Sequence, residues 1–314
     1  MHVAITGSHG FIGRHVAQVF HRLGHRVSGL DLHASDQPEF HRAISGSILS
    51  DRDLEHTFED VDTVIHTAAI VEEGGDPERF YRLNVDGTLK AAHIALNQGV
   101  RRFIHLSSVM VYGFKFPDQV GEASPLWPNG NPYCDSKIAS EDVLKPLASE
   151  AFKVIIARPG DVVGHGSIPW VTRPVDLMRK RLFALPDRGR GRFNPIHVRD
   201  IARALLHLSQ LEDPQQTYNL VTGTSVSCGE YFDKLAQAHG LSKPLRAPSS
   251  LMRSAANLMT KSAAILNFQT PFQAEGVDFL LRSGTYSGNA LRASGFECQE
   301  SLESLFIELR NLSR

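Results

Sequence analysis

Cysteine is scarce in this chain. Its three cysteines, Cys134, Cys228 and Cys298, are far apart and odd in number. They form neither a disulfide framework nor a paired zinc pattern, which favours a reducing compartment. Charge of either sign is not in excess: 33 basic side chains face 34 acidic ones, a formal net charge of −1. Nothing is left over to neutralise a phosphate backbone, so no nucleic-acid partner is expected. No apolar run reaches the roughly 18–20 residues that span a bilayer. The N-terminus opens directly on Val3-Ala4-Ile5, with no basic-then-apolar leader, so a cytoplasmic protein is expected. Fifteen histidines invite a metal, but His21 and His25 straddle Gly24 at a helix end, and HExxH is missing. No metal site is expected.

Present instead is an alternation of short β-branched runs with amphipathic segments. Strands are predicted at 2–6, 26–31, 62–66, 102–107, 153–157 and 217–221, helices at 11–23, 51–59, 77–98, 134–149 and 199–211. This order predicts an α/β fold, a Rossmann-type doubly wound parallel sheet. Pro169, Pro174, Pro186 and Pro195 break the rhythm, and helix-like patterns dominate from 226 onward. The expected division is a dinucleotide-binding domain over 1–165, to which the chain returns at about 193–225. A smaller, mostly helical C-terminal substrate portion is expected over 166–314.

Thr6-Gly7-Ser8-His9-Gly10-Phe11-Ile12-Gly13 follows the first strand and opens the first helix. Glycines at 7, 10 and 13 permit a tight turn, backbone approach to a pyrophosphate at the positive helix end, and close helix–sheet packing. Asp31 ends the second predicted strand, where a carboxylate accepts from the adenosine ribose diol and repels a 2′-phosphate. No Arg or Lys follows between 32 and 41 to reverse that preference, so NAD is expected rather than NADP.

Tyr133 and Lys137 stand four apart at the start of a predicted helix, on one face. A secondary alcohol releases hydride as its proton leaves, so a base must sit at its oxygen. A free phenol, with a pKa near ~10, needs about 4 kcal/mol of phenolate stabilisation to act near neutrality, and a neighbouring cation is a means of supplying it. Ser107 and Ser108 place hydroxyls at the C-terminal edge of the fourth predicted strand, where ligands collect in such sheets. Ser108 is expected to hold the substrate oxygen.

Together these segments resemble the extended short-chain dehydrogenase/reductase family, which includes sugar-nucleotide epimerases and 3β-hydroxysteroid dehydrogenases. The matching motifs are TGxxGFIG at 6–13, Asp31, His66-Thr67-Ala68-Ala69, NVxGT at 84–88, SSxxVYG at 107–113, YxxxK at 133–137 and Arg158-Pro159-Gly160. The resemblance implies Tyr133 as acid/base and Lys137 both lowering its pKa and binding the nicotinamide ribose. It also implies Ser108 on the substrate hydroxyl, Phe11, Ile12, Ala68, Ala69 and Ser107 beside the cofactor, and Pro159 at the nicotinamide. Ser47 and Ile48 stand where the family often has an acid and an apolar residue at the adenine. A homodimer through 84–98 and 134–149 is implied as well. Asn84 reads equally as site or scaffold, and Asp200 reads as the cap of a helix over 201–208.

The same site serves two outcomes with a small-molecule substrate: a dehydrogenase that releases a ketone, or an epimerase that retains the keto intermediate and reduces it again. Val109 and Met110 replace the acid pair typical of the family's dehydratases, which argues against water elimination. Leu251-Met252, Leu258-Met259, Ile265-Leu266, Phe268 and Phe272 suggest an apolar lid over a bulky hydrophobic alcohol, the favoured substrate. Arg179, Lys180, Arg181, Arg188, Arg190 and Arg192 suit a diphosphate instead. A non-catalytic NAD-sensing protein is the third reading.

Overall fold

Five residues, His2–Thr6, form a first strand (β1) that is buried throughout, as the central strand of a two-faced sheet must be. The computed structural model describes residues 1–72, 74–266 and 274–312. After β1 come α1 (Phe11–Arg22), β2 (Arg26–Asp31), β3 (Arg42–Ser45), α2 (Asp51–Phe58), β4 (Thr63–His66), α3 (Pro77–Tyr81), α4 (Gly87–Asn97), β5 (Arg102–Leu106), α5 (Pro132–Leu144) and β6 (Lys153–Pro159). With a last strand, Thr217–Leu220, they build a seven-stranded parallel sheet in which β1 lies between β4 and β2. Successive strands run outward from β1 through β2 to β3 on one side and through β4, β5 and β6 on the other. That reversal opens a crevice at the carboxyl ends of β1 and β4, the place where open α/β sheets take ligands.

Two apolar layers cover the sheet. On one face Val16, Ala17 and Phe20 of α1 meet Ile201, Leu205 and Leu208 of the helix Val198–Gln210. On the other, Leu54 and Phe58 of α2 meet Ala91 and Ala95 of α4. The rest of the chain adds a third core around Phe193, Tyr231, Phe232 and Phe306, made by short strand pairs and helices including Cys228–Ala238 and Leu302–Leu312. Among the described residues no helix is long and apolar enough to cross a membrane.

Three local readings change. The half-buried edge strand β3 carried too little apolar pattern to be predicted. The helix expected over 77–98 is interrupted by a π-helical turn, Arg82–Asp86, that carries Asn84. Asp200 is not a cap: His197 Nδ1 accepts from Arg199 N at 3.1 Å and begins that helix. Asp200, fully buried, accepts from Gln299 N (2.9 Å) and Glu300 N (3.0 Å), tying the C-terminal segment to the nucleotide-binding core.

Candidate active site

The glycine loop has the shape that a dinucleotide needs. Gly7 has φ +67°, and a Cβ there would lie 2.8 Å from Ala68 N. A Cβ on Gly13 would lie 2.1 Å from Gly7 O, so the first turn of α1 rests directly on the loop. The cap residue Gly10 is exposed, makes no side-chain cap, and no acid stands in the first turn of α1. The positive helix end is therefore open to an anion. Ala68 and Ala69, half-buried on the loop after β4, present only methyl groups beside it. Phe11 and Ile12 are half-buried at the start of α1, with Ile12 packed on the core.

Asp31 is held at the end of β2 by two backbone donors: His9 N to Oδ2 at 3.1 Å and His33 N to Oδ1 at 3.2 Å. Each oxygen keeps a lone pair for a ribose hydroxyl. Ser47 spends its N–H on Asp53 Oδ2 (3.0 Å), and its Oγ accepts from Leu49 N (3.2 Å), which leaves the hydroxyl proton to donate. Ile48 is buried, its side chain set against Gly87. These residues fit NAD: an open helix end for the pyrophosphate, a fixed carboxylate for the diol, and small residues between.

Ser108 follows β5, with extended backbone (φ −160°, ψ 150°), and its Oγ accepts from Met110 N at 3.2 Å. Tyr133 enters from the first turn of α5, where Asn131 Oδ1 accepts from Cys134 N (3.1 Å) and Pro132 presets the helical backbone. Burial pushes the Tyr133 phenol up to about 12, and the nearby Ser108 side chain opposes the shift. Lys137 is 3% exposed, and burial pushes it down to about 8 against the pull of Glu141. Its Nζ donates to Leu106 O at 2.8 Å. In this protein alone, then, the serine is what favours the phenolate, and the lysine is bonded to β5.

Ser107 is 2% exposed and its Oγ donates to Glu141 Oε1 at 2.6 Å, so its hydroxyl proton is spent within the protein. Glu141 is paired with Arg158, which donates to Tyr112 Oη at 2.7 Å. Pro159 is buried at the end of β6, opposite Leu220. Asn84 resolves as scaffold: Oδ1 accepts from Ile70 N (2.8 Å) and Nδ2 donates to Ser136 Oγ (3.0 Å), joining the Ala68-Ala69 loop to α5 beside Lys137. Cys134 is fully buried, its thiol pushed up to about 12 by burial. Among the described residues no group of three His, Cys, Asp or Glu is placed to hold a metal ion.

Sequence reasoning missed the buried pair Asp161–Arg282. Arg282 Nη2 reaches both carboxylate oxygens (2.9 and 2.8 Å), Nε donates to Phe279 O (3.0 Å), and Nη1 points to Tyr286 Oη (3.4 Å) and Met110 Sδ (3.9 Å). Nothing local in the sequence signals a partner 121 residues away. Arg282 also floors a cavity of about 590 Å³ bounded by Arg188, Arg190, Arg246, Leu281 and Pro248. Arg246 is spent on Arg188 O (2.7 Å) and Asp233 (2.6 Å). The exposed side chains of Arg188 and Arg190 make no hydrogen bond or close ion pair among the described residues. Arg179 is paired with Asp176 instead. Leu251 and Leu258, at 62% and 68% exposure, point outward and do not line this cavity; Phe268 and Phe272 lie outside the described residues.

The sequence and the fold have known counterparts. The model of the NAD dependent epimerase/dehydratase family matches residues 3–220. The UDP-glucose 4-epimerase of Mus musculus is 27% identical over 300 residues, covering 78% of this chain and 84% of its own. The dTDP-D-glucose 4,6-dehydratase of the same organism is 27% identical over 256 residues, covering 75% and 72%. Among solved structures, MoeE5 in complex with UDP-glucuronic acid and NAD superposes with a TM-score of 0.80 at 24% identity, over 100% of both chains. The chain is an enzyme that belongs to the NAD-dependent epimerase/dehydratase family, within the extended short-chain dehydrogenases/reductases.

Proposed function

We propose that this enzyme is an epimerase-type oxidoreductase acting at a secondary alcohol carbon of a sugar carried on an anionic, nucleotide-diphosphate-like handle. The observation that carries the reading is the continuity of two features. The neighbouring Ser108 and Tyr133 are joined through Met110 and Arg282 to the cavity whose rim holds Arg188 and Arg190, with Asp187 beside them. A bulky hydrophobic alcohol would have no use for that cationic rim, and Leu251 and Leu258, expected in a lid over such a substrate, are exposed. Relatives named UDP-glucose 4-epimerase match more than three quarters of the chain, which supports the same choice.

In this reading Ser108 Oγ holds the substrate hydroxyl against Tyr133. Tyr133 Oη takes the hydroxyl proton during oxidation and returns it on reduction. Lys137 anchors the nicotinamide ribose and keeps a positive charge near the phenol. When bound, NAD supplies the hydride acceptor and a further positive charge. Val109 and Met110, both buried apolar side chains, offer no second acid to expel water, so the ketone is retained and reduced again. Residues 1–165 with 193–225 hold the dinucleotide and 166–314 the substrate. Pairing of two copies through 84–98 and 134–149 would cover the exposed Tyr81 and Leu96 (51% and 37%).

The test is incubation with NAD and a panel of UDP-sugars, with products followed by NMR and NADH by absorbance. An isomerised sugar without net NADH, abolished by Tyr133→Phe, supports the proposal. Net NADH with a released ketone makes the enzyme a dehydrogenase, and inertness toward every nucleotide sugar overturns the substrate assignment.

A further inference from the structure

Position 9 of the glycine loop carries an imidazole that the turn itself does not require. The close approaches that demand glycine fall at 7 and 13, whereas residue 9 is half-exposed. Its ring is nevertheless bound on three sides. Nδ1 lies 3.0 Å from Ser8 Oγ. Nε2 lies 3.0 Å from both the N and the O of Ser35, so either tautomer finds a partner there. The ring stacks on Phe40 at 5.0 Å between centroids and 15° between planes. Phe40 packs on the core, so closely over Gly29 that a Cβ there would lie 2.7 Å from its ring.

These contacts bear on Asp31. Residues 32–41, which join β2 to β3, form neither helix nor strand. A segment of that kind orders only where specific contacts offset its conformational entropy. Its contacts include the Asp31–His33 bond, the His9–Ser35 bond, the Gln37–Ser35 side-chain bond, the Ser45 hydroxyl on Leu32 O, the backbone bonds of Phe40 and His41, the Arg26–His41 side-chain bond, the His2–His41 ring contact and the Phe40 stack. The backbone N–H of the same His9 donates to Asp31 Oδ2. One residue thus fixes the carboxylate directly and pins the chain that follows it.

We infer that His9 is a positioning residue for dinucleotide selection: its side chain latches the glycine loop to the segment after Asp31, so that the carboxylate is held to receive a ribose diol and to repel a 2′-phosphate. A carboxylate free to turn away loses both its attraction for NAD and its repulsion of NADP. Loss of the latch therefore changes the ratio of the two affinities as well as their size. A side chain with only a structural role would lower the melting temperature and weaken both nucleotides alike.

The experiment measures NAD and NADP dissociation constants by calorimetry on the whole chain freed of bound nucleotide, for wild type, His9→Ala and His9→Gln. Loss of one or two partly exposed hydrogen bonds predicts about tenfold weaker NAD binding for His9→Ala. NADP is expected to weaken less than about threefold, so the preference for NAD narrows, with partial recovery in His9→Gln. Phe40→Leu removes the ring on which His9 stacks and is expected to narrow the ratio too, which decides the question if His9→Ala does not fold. A ratio within twofold of wild type in the folded variants overturns the inference.

Discussion

Replacing Lys137 with methionine should stabilise the nucleotide-free protein while destroying its activity. The ammonium is 3% exposed and its pKa falls from 10.5 to about 8, with burial as the first cause. At ~1.4 kcal/mol per unit, holding that charge inside the fold costs about 3 kcal/mol at neutral pH. Methionine has similar length and no charge, but it leaves Leu106 O without its donor, which returns about 1 kcal/mol. The net gain is about 2 kcal/mol. With roughly 2.1 cal/mol/K of unfolding entropy per residue, the 314 residues give about 0.7 kcal/mol/K, and Tm should rise by about 3 °C.

The pH dependence gives the sharper test. Below pH 8 both folded and unfolded chains hold the Lys137 proton, and the penalty is constant. Between about 8 and 10.5 only the unfolded chain holds it, so wild-type stability gains from this group as pH rises. The gap between Lys137→Met and wild type should shrink across that range and then change sign. Calorimetric melting of both proteins at pH 7, 8, 9 and 10 checks this. A variant less stable than wild type at pH 7, or a gap that does not move above pH 8, refutes the reasoning.

Tyr133→Phe should lower kcat on the accepted substrate by at least ~10²–10⁴-fold with NAD affinity nearly unchanged, as steady-state kinetics beside calorimetry would show. In the nucleotide-free protein, the 295 nm titration of wild type minus Tyr133→Phe should show no phenolate until well above pH 10, because that phenol sits at about 12. Asp161→Ala leaves a buried guanidinium unpaired and should cost about 3–5 kcal/mol, whereas Asp161→Leu with Arg282→Met should cost much less than the two single changes added. A thermal-denaturation cycle reads the coupling, and additivity would contradict it. Gly13→Ala drives a methyl to 2.1 Å from Gly7 O and should abolish NAD binding by calorimetry or prevent folding.

The α/β alternation was legible because period and turn chemistry are local. So were the glycine loop, Asp31 and the Tyr133/Lys137 spacing, since a loop that approaches a phosphate and two side chains one helical turn apart are written within a few residues. The sequence alone also placed Ser108 at a strand end. It gave Ser108 to the substrate and Ser107 to the cofactor, but it could not show that the Ser107 hydroxyl meets Glu141, which belongs to another element. It assigned Asp200 a local cap, where the carboxylate in fact reaches residues 299 and 300. The electrostatic partners were equally out of reach. Lys137 meets Leu106 O, Asp161 meets Arg282, and Arg188 and Arg190 come to stand at a cavity rim. Pairing across more than a hundred residues is decided by how the layers pack, and burial, which moves these pKa values, exists only once they have packed.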